Sequence, residues 1–266
     1  MKKFFTFLLV VAIIAGIYYF MEDDGNPPGG GPDIENGTGT NSGTDDKAKS
    51  FTVNGVSFNM VKVKGGTFFM LIVIDHVPDR SPSVQVKLSD YYIGQTEVTQ
   101  ALWQAVMGNN PSGFKGDMNR PVDNVSWNDC QMFVTKLSRM TGQRFRLPKE
   151  TEWEYAARGG NRSNDYKYAG SNNIGTVAWY SNNSNGATHP VATKSSNELG
   201  LYDMSGNVWE WVQDYYMIGG DSESNQNSGG DKVLRGSSWA NNYTLSRRFT
   251  NNPMNSNNSF GLRLAL

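Results

Sequence analysis

Few side chains in this sequence carry the chemistry of a catalytic centre, and their spacing limits what they could do. Cys130 is the only cysteine, so an intramolecular disulfide is excluded. Around it, Cys130, Phe133, Val134 and Leu137 recur at helical spacing and share one face. Two readings follow: a buried small hydrophobe, as free cysteine most often is, or a reactive thiol. The two histidines, His76 and His189, do not stand at metal-ligand spacing. His189 precedes Pro190 and reads as a loop or packing residue. A serine nucleophile is conceivable at Ser246, yet no histidine motif is present to take its proton. Binding chemistry is better represented. Residues 240–260 are dominated by Asn and Ser, with Thr, Arg and one Tyr. Paratopes use such residues, because Tyr gives rigid contact area and Asn and Ser give adaptable hydrogen bonds. The same composition also suits an ordinary irregular loop, since Asn tolerates left-handed turns.

These residues need elements to position them. Asn54-Gly55 between Phe51–Val53 and Val56–Val63 is a hairpin signal. Val84–Leu88 alternates as a half-buried strand does. Thr99 is a candidate cap for a helix that carries Ala101, Leu102, Val106 and Met107 and ends at Gly108. Ser126 is a candidate cap for the helix that holds Cys130, and Asn128 and Asp129 read as capping chemistry rather than a sugar site. A third helix runs from Lys149 to Arg158, stopped by Gly159-Gly160. The second half is glycine-rich and irregular. Helices early and short strands late predict a single α+β domain.

Charge is nearly balanced, 24 Lys+Arg against 25 Asp+Glu, so no basic field marks a nucleic-acid partner. Lys2 and Lys3 precede an apolar run from Phe4 to Phe20, closed by Glu22, Asp23 and Asp24. The segment 1–21 reads as an uncleaved signal anchor or as a cleaved signal peptide, since the run is at the short limit for a span. No cysteine adjoins the end of the apolar run, which excludes a lipoprotein anchor. Residues 22–50 are Gly, Pro, Thr, Asn, Ser and Asp-rich and read as a disordered linker reaching roughly 30 Å. The expected location is the cell envelope, with the domain 51–266 membrane-anchored and facing outward, or secreted after cleavage.

Several stretches together resemble the formylglycine-generating enzyme, or sulfatase-modifying factor, family. They are Gly94–Thr99 with Trp103, Pro121-Val122 with Val125–Trp127, Arg146–Gly160, Gly200–Trp211, Arg235–Trp239 and Gly261–Arg263. The resemblance covers about residues 56–266 and implies a loop-rich, C-type-lectin-like α+β fold. It also implies a calcium site with Asp203 and Glu210 as side-chain ligands and the carbonyls of Gly206 and Val208, a donor set of hard oxygens suited to that ion. A second family calcium site would fall near Asn183 and Asn185, where the match is poor. Enzymes of the family hold copper with two cysteine thiolates, and soft Cu(I) needs such ligands. Here Asn241 and Ser246 stand near those positions, so copper is not expected. Related iron enzymes use a histidine triad that this sequence lacks, so iron is not expected either.

The 240–260 segment between fixed-looking flanks also resembles the variable proteins of diversity-generating retroelements. That resemblance makes Asn241, Asn242, Tyr243, Thr244, Leu245, Ser246, Arg248, Thr250, Asn251, Asn252, Asn255, Ser256, Asn257 and Asn258 the candidate exposed, ligand-contacting positions. The expectation is a surface-displayed binding protein that is not catalytic and whose partner is an extracellular protein or cell-surface ligand. The alternatives are a formylglycine-generating oxidase acting on a sulfatase cysteine, and an envelope assembly factor.

Overall fold

Asn54 and Gly55 both have left-handed backbone, with φ of 48° and 80°. That is the two-residue turn whose twist matches paired strands. It joins β1 (Lys49–Val53) to β2 (Val56–Val63), with Val53 opposite Val56. The computed structural model describes residues 48–71, 83–216 and 230–266. The targeting segment, most of the linker and His76 lie outside the described residues. The strand begins at Lys49, so the expected linker boundary at residue 50 falls inside β1.

β2 pairs in turn with β5 (Tyr91–Gly94), giving an antiparallel sheet in the order β1-β2-β5. β3 (Gly66–Leu71) pairs antiparallel with β4 (Ser83–Leu88). The last sheet has the order β8-β7-β6-β9 and is built from β6 (Trp209–Tyr215), β7 (Lys232–Arg235), β8 (Phe249–Asn251) and β9 (Phe260–Leu262). Only its β6–β9 pair is parallel. The C-terminus closes back on β5, where Tyr92 and Leu266 exchange backbone hydrogen bonds of 3.0 and 2.9 Å.

The helices start and stop where their caps predict. The Thr99 side chain accepts from Leu102 N at the head of α1 (Gln100–Met107), and Gly108 ends it at φ 89°. Ser126 and Asp129 form a reciprocal capping box on α2 (Trp127–Thr141), ended by Gly142. Asp129 is therefore capping chemistry, as read. α3 (Glu150–Ala157) is buried along its whole length, and α4 (Ile174–Val177) is a single turn. One core lies between β1, β2, α1, α2 and the indoles of β6, where Trp103 and Phe133 stack at 4.9 Å. Cys130 is wholly buried in it. A second core surrounds α3 and includes Ile93, Met204, Val212, Val233 and Leu245. The result is the mixed, loop-rich α+β architecture expected from the sequence.

Candidate functional site

The segment 240–260 leaves β7, forms β8 and returns to β9, and buried charge holds its backbone in place. Arg235 is fully buried on β7. Its Nη2 donates to Glu154 Oε2 at 2.6 Å and to the Leu245 carbonyl at 2.9 Å, and its Nη1 donates to Glu150 Oε1 at 3.2 Å. Arg248 grips the same Glu150 with a two-pronged contact, Nε and Nη2 each 2.7 Å from a carboxylate oxygen. Further along, the carbonyl of Pro253 accepts from Asn128 N, that of Asn257 from Asn124 N, and that of Ser259 from Trp209 N, at 3.2, 2.9 and 2.7 Å. The Asn258 carbonyl accepts from Trp239 Nε1 at 3.1 Å. An irregular chain tied at this many points presents a fixed backbone.

Its side chains divide into two kinds. Asn242, Tyr243, Thr244, Asn252, Asn255, Ser256, Asn257 and Asn258 are exposed, and Asn241, Ser246, Thr250 and Asn251 are half-buried. Asn241 turns its Oδ1 inward to accept from Trp209 Nε1 and Ser238 Oγ at 3.0 and 2.8 Å. Two expected positions are corrected by the fold. Leu245 is only 3% exposed and packs into the α3 core, because the chain dives inward there to meet Arg235. Arg248 is 11% exposed at its side chain and belongs to the Glu150 ion pair. Conversely, Phe249 and Met254 are exposed within this face and were not among the expected positions. A large apolar residue inside a polar loop was the available signal. The Phe249 and Tyr243 rings lie 5.4 and 5.9 Å from Trp209, so the exposed aromatics rest on a buried indole.

The residues weighed for catalysis are dispersed. Burial, with the charge of Asp129 adding to it, pushes the Cys130 thiol well above its usual range, which suits the inert reading. His189 stacks on Trp179 at 3.8 Å with its Nε2 2.7 Å from the Ser184 carbonyl, a packing role. Ser246 Oγ lies 3.4 Å from Thr244 Oγ1.

The loop implied to hold calcium curls through left-handed backbone at Asp203, Gly206 and Asn207. Three buried carboxylates, Glu97, Asp203 and Glu210, adjoin one buried guanidinium, Arg263. Burial, together with the charges of Asp203 and Glu210, pushes Glu97 well above the carboxylate range. Burial likewise pushes Asp203 up to about 6. Asp203 Oδ2 accepts from Ala192 N at 2.7 Å, whereas its buried Oδ1 has no hydrogen-bond partner. That oxygen fits a hard cation. Glu210 departs from the expected role, because its oxygens already accept from Arg263 and from Trp153 Nε1. Among the described residues no cluster of three or more His, Cys, Asp or Glu forms a metal cage. At the second expected site, Asn183 uses its Oδ1 on Tyr180 N and its Nδ2 on the Ala178 carbonyl, inside its own turn.

With this geometry in place, the family model of the sulfatase-modifying factor enzyme 1-like domain matches residues 46–266. The chain is similar to the chaperone protein LppX of Paenibacillus barcinonensis, 36% identical over 212 residues, covering 60% of this chain and 73% of that protein. It is similar to the formylglycine-generating enzyme of Streptomyces coelicolor, 34% identical over 184 residues, covering 58% of this chain but only 56% of that enzyme. Among solved structures it is similar to Treponema denticola variable protein 1, with a TM-score of 0.72 and 34% identity, covering 82% of this chain and 98% of that one.

Proposed function

This chain belongs to the sulfatase-modifying factor enzyme 1-like family, and from that premise we propose that it is an exported binding protein rather than an enzyme. It displays the 240–260 face to an extracellular protein or cell-surface ligand. The observation that carries the reading is the division of that segment. Its backbone is fixed to buried Arg235 and Trp209 and its Arg248 side chain to buried Glu150, while eight of its expected contact side chains stand open to solvent. A fixed backbone keeps the ordering cost of binding low, and exchangeable side chains set what is bound. The similarity to a variable protein supports the reading, as does the absence of a cysteine pair from the whole sequence. Calcium at the Asp203 loop is a structural part of it, supported by the free Asp203 oxygen.

Deep resequencing of the gene across a population of source cells tests the proposal that this face is diversified. Substitutions confined to codons 240–260, and sparing Leu245 and Arg248, are expected. An invariant segment removes diversification and leaves a fixed binding face. The similarity to a protein named as a chaperone favours a second reading, envelope assembly. A stable envelope complex that survives replacement of the exposed 240–260 side chains would select it. Copper binding with turnover of a cysteine-containing sulfatase peptide would instead return the chain to the oxidases.

A further inference from the structure

The outer face of α2 has a composition that the ligand-binding reading does not use. Its inner face, Cys130, Phe133, Val134 and Leu137, fills the core. Outside, Met132, Lys136, Arg139 and Met140 follow at i, i+4, i+7 and i+8, which is one stripe of an α-helix. All four are exposed, and Met132 and Met140 are 55% and 42% accessible despite being apolar. The stretch of chain that carries the stripe is mostly of one charge. From residue 127 to 149 the charged side chains are Lys136, Arg139, Arg144, Arg146 and Lys149 against Asp129 alone. Asp129 caps α2, and Arg146 is paired with Glu152 at 2.6 and 2.8 Å. Four exposed cations and two exposed thioethers are left in this stretch, in a chain whose formal net charge is −1.

The preceding chain joins the domain near the C-terminal end of the same helix. Forty-seven residues precede the first described one, and they contain the apolar run Phe4–Phe20. They join the domain at β1, where the Phe51 ring lies 5.2 Å from Phe145, just beyond the C-terminal end of α2. The 240–260 face meets the opposite end of α2, through the Asn128 N to Pro253 carbonyl bond. Asn128 and Met140 are separated by about 18 Å of helix.

We infer that the C-terminal half of α2 seats the domain on an anionic phospholipid surface. Met132 and Met140 enter the headgroup boundary, and Lys136, Arg139 and Arg144 meet phosphates. The seat sets the orientation of the tethered domain and keeps the 240–260 face clear of the bilayer. It rests on the reading that residues 4–20 reach a membrane.

Peroxide oxidation of methionine, read by mass spectrometry, tests it with the full-length protein. The protein is mixed with vesicles of phosphatidylcholine alone, and with vesicles of equimolar phosphatidylcholine and phosphatidylglycerol. Met254, 76% exposed on the 240–260 face, is the internal control. On anionic vesicles Met132 and Met140 should oxidise at least about threefold more slowly than on neutral ones, with Met254 unchanged. The double variant K136E/R139E should lose that protection, and its unchanged circular dichroism would show that it folds. Equal oxidation on both vesicle types overturns the seat, as does protection that persists in the double variant. Binding to anionic but not neutral vesicles, with the protection, keeps the seat and removes the anchor. Binding to both without the protection keeps the anchor and removes the seat.

Discussion

Arg263 and Glu210 meet as a wholly buried ion pair, with Arg263 Nε 3.1 and 3.0 Å from the two carboxylate oxygens and Nη2 2.8 Å from Oε1. Trp153 Nε1 adds a bond of 2.6 Å to the same carboxylate, and Arg263 also donates to the carbonyls of Gly94 and Tyr202. One pair therefore ties β5, α3, β6, β9 and the loop at residue 202 together. Removing one partner strands a charge where water cannot reach it. R263M should lower the unfolding free energy by about 3–5 kcal/mol, and E210Q/R263M should cost less than R263M alone. Urea denaturation of the parent, E210Q, R263M and E210Q/R263M checks both statements. A double-variant loss equal to the sum of the two single losses would mean that the pair is not coupled.

This pair also shows where the sequence stops being readable. Caps and turns are local, and Thr99, Gly108, Ser126 and Asn54-Gly55 each do what their neighbours in sequence dictate. The family motifs pointed to the fold because their glycines, indoles and carboxylates recur together. Partners remote in sequence were not visible. Glu210 looks like a free carboxylate until Arg263, 53 residues later, is brought against it. Arg248 looks like a solvent-facing loop residue until Glu150, 98 residues earlier, is placed beneath it. Leu245 had a local clue, being the one branched aliphatic residue in an Asn-rich run, but only the fold shows a core behind it.

The anchor positions within 240–260 should separate cleanly from the presenting ones. L245A removes a buried side chain from the α3 core and should cost about 2–5 kcal/mol. R248A leaves the buried Glu150 short of one cation and should cost about 2–4 kcal/mol, near the range for a broken buried pair and reduced because Arg235 remains. N242A, N252A and N255A should each stay within about 0.5 kcal/mol of the parent, as exposed substitutions do. Thermal and chemical denaturation of the five variants reads the contrast. A presenting variant as damaging as L245A would refute the division.

Asp123 gives the protein a pH dependence of predictable sign. Burial pushes its carboxyl up to about 6 from 3.8, against the opposing bonds from the Gly113 and Phe114 amides. Between those two values the folded protein holds a proton that the unfolded chain has released. The stabilisation is therefore complete below the unfolded value, falls as pH rises through the folded one, and levels off above it. The loss is about 3 kcal/mol, and Asp214, also raised to about 6 by burial, acts in the same direction. D123N should flatten the part that belongs to Asp123. Denaturation midpoints measured from about pH 4 to pH 8 supply the curve, and a midpoint that rises across this window would contradict the assignment.

Calcium at the Asp203 loop is tested by the same titration read differently. The unpartnered Oδ1 of Asp203 is an open acceptor that a cation would satisfy, whereas a proton there would only remove the charge. An ion that binds the folded state alone, present at about a hundredfold excess over its dissociation constant, stabilises by about 2.7 kcal/mol. Added calcium should therefore raise Tm and a chelator should lower it. D203N, which keeps an oxygen for the Ala192 amide, should abolish both responses. Because Asp203 must lose its proton to ligate, the calcium effect should be weaker at about pH 5 than at about pH 7.5. A Tm indifferent to calcium at both pH values would overturn the calcium site. The loop would keep its bonds to Ala192, Trp179, Gly236 and Glu97, and D203N should be more stable than the parent at about pH 7.5, because it no longer carries a buried carboxylate that must ionise there.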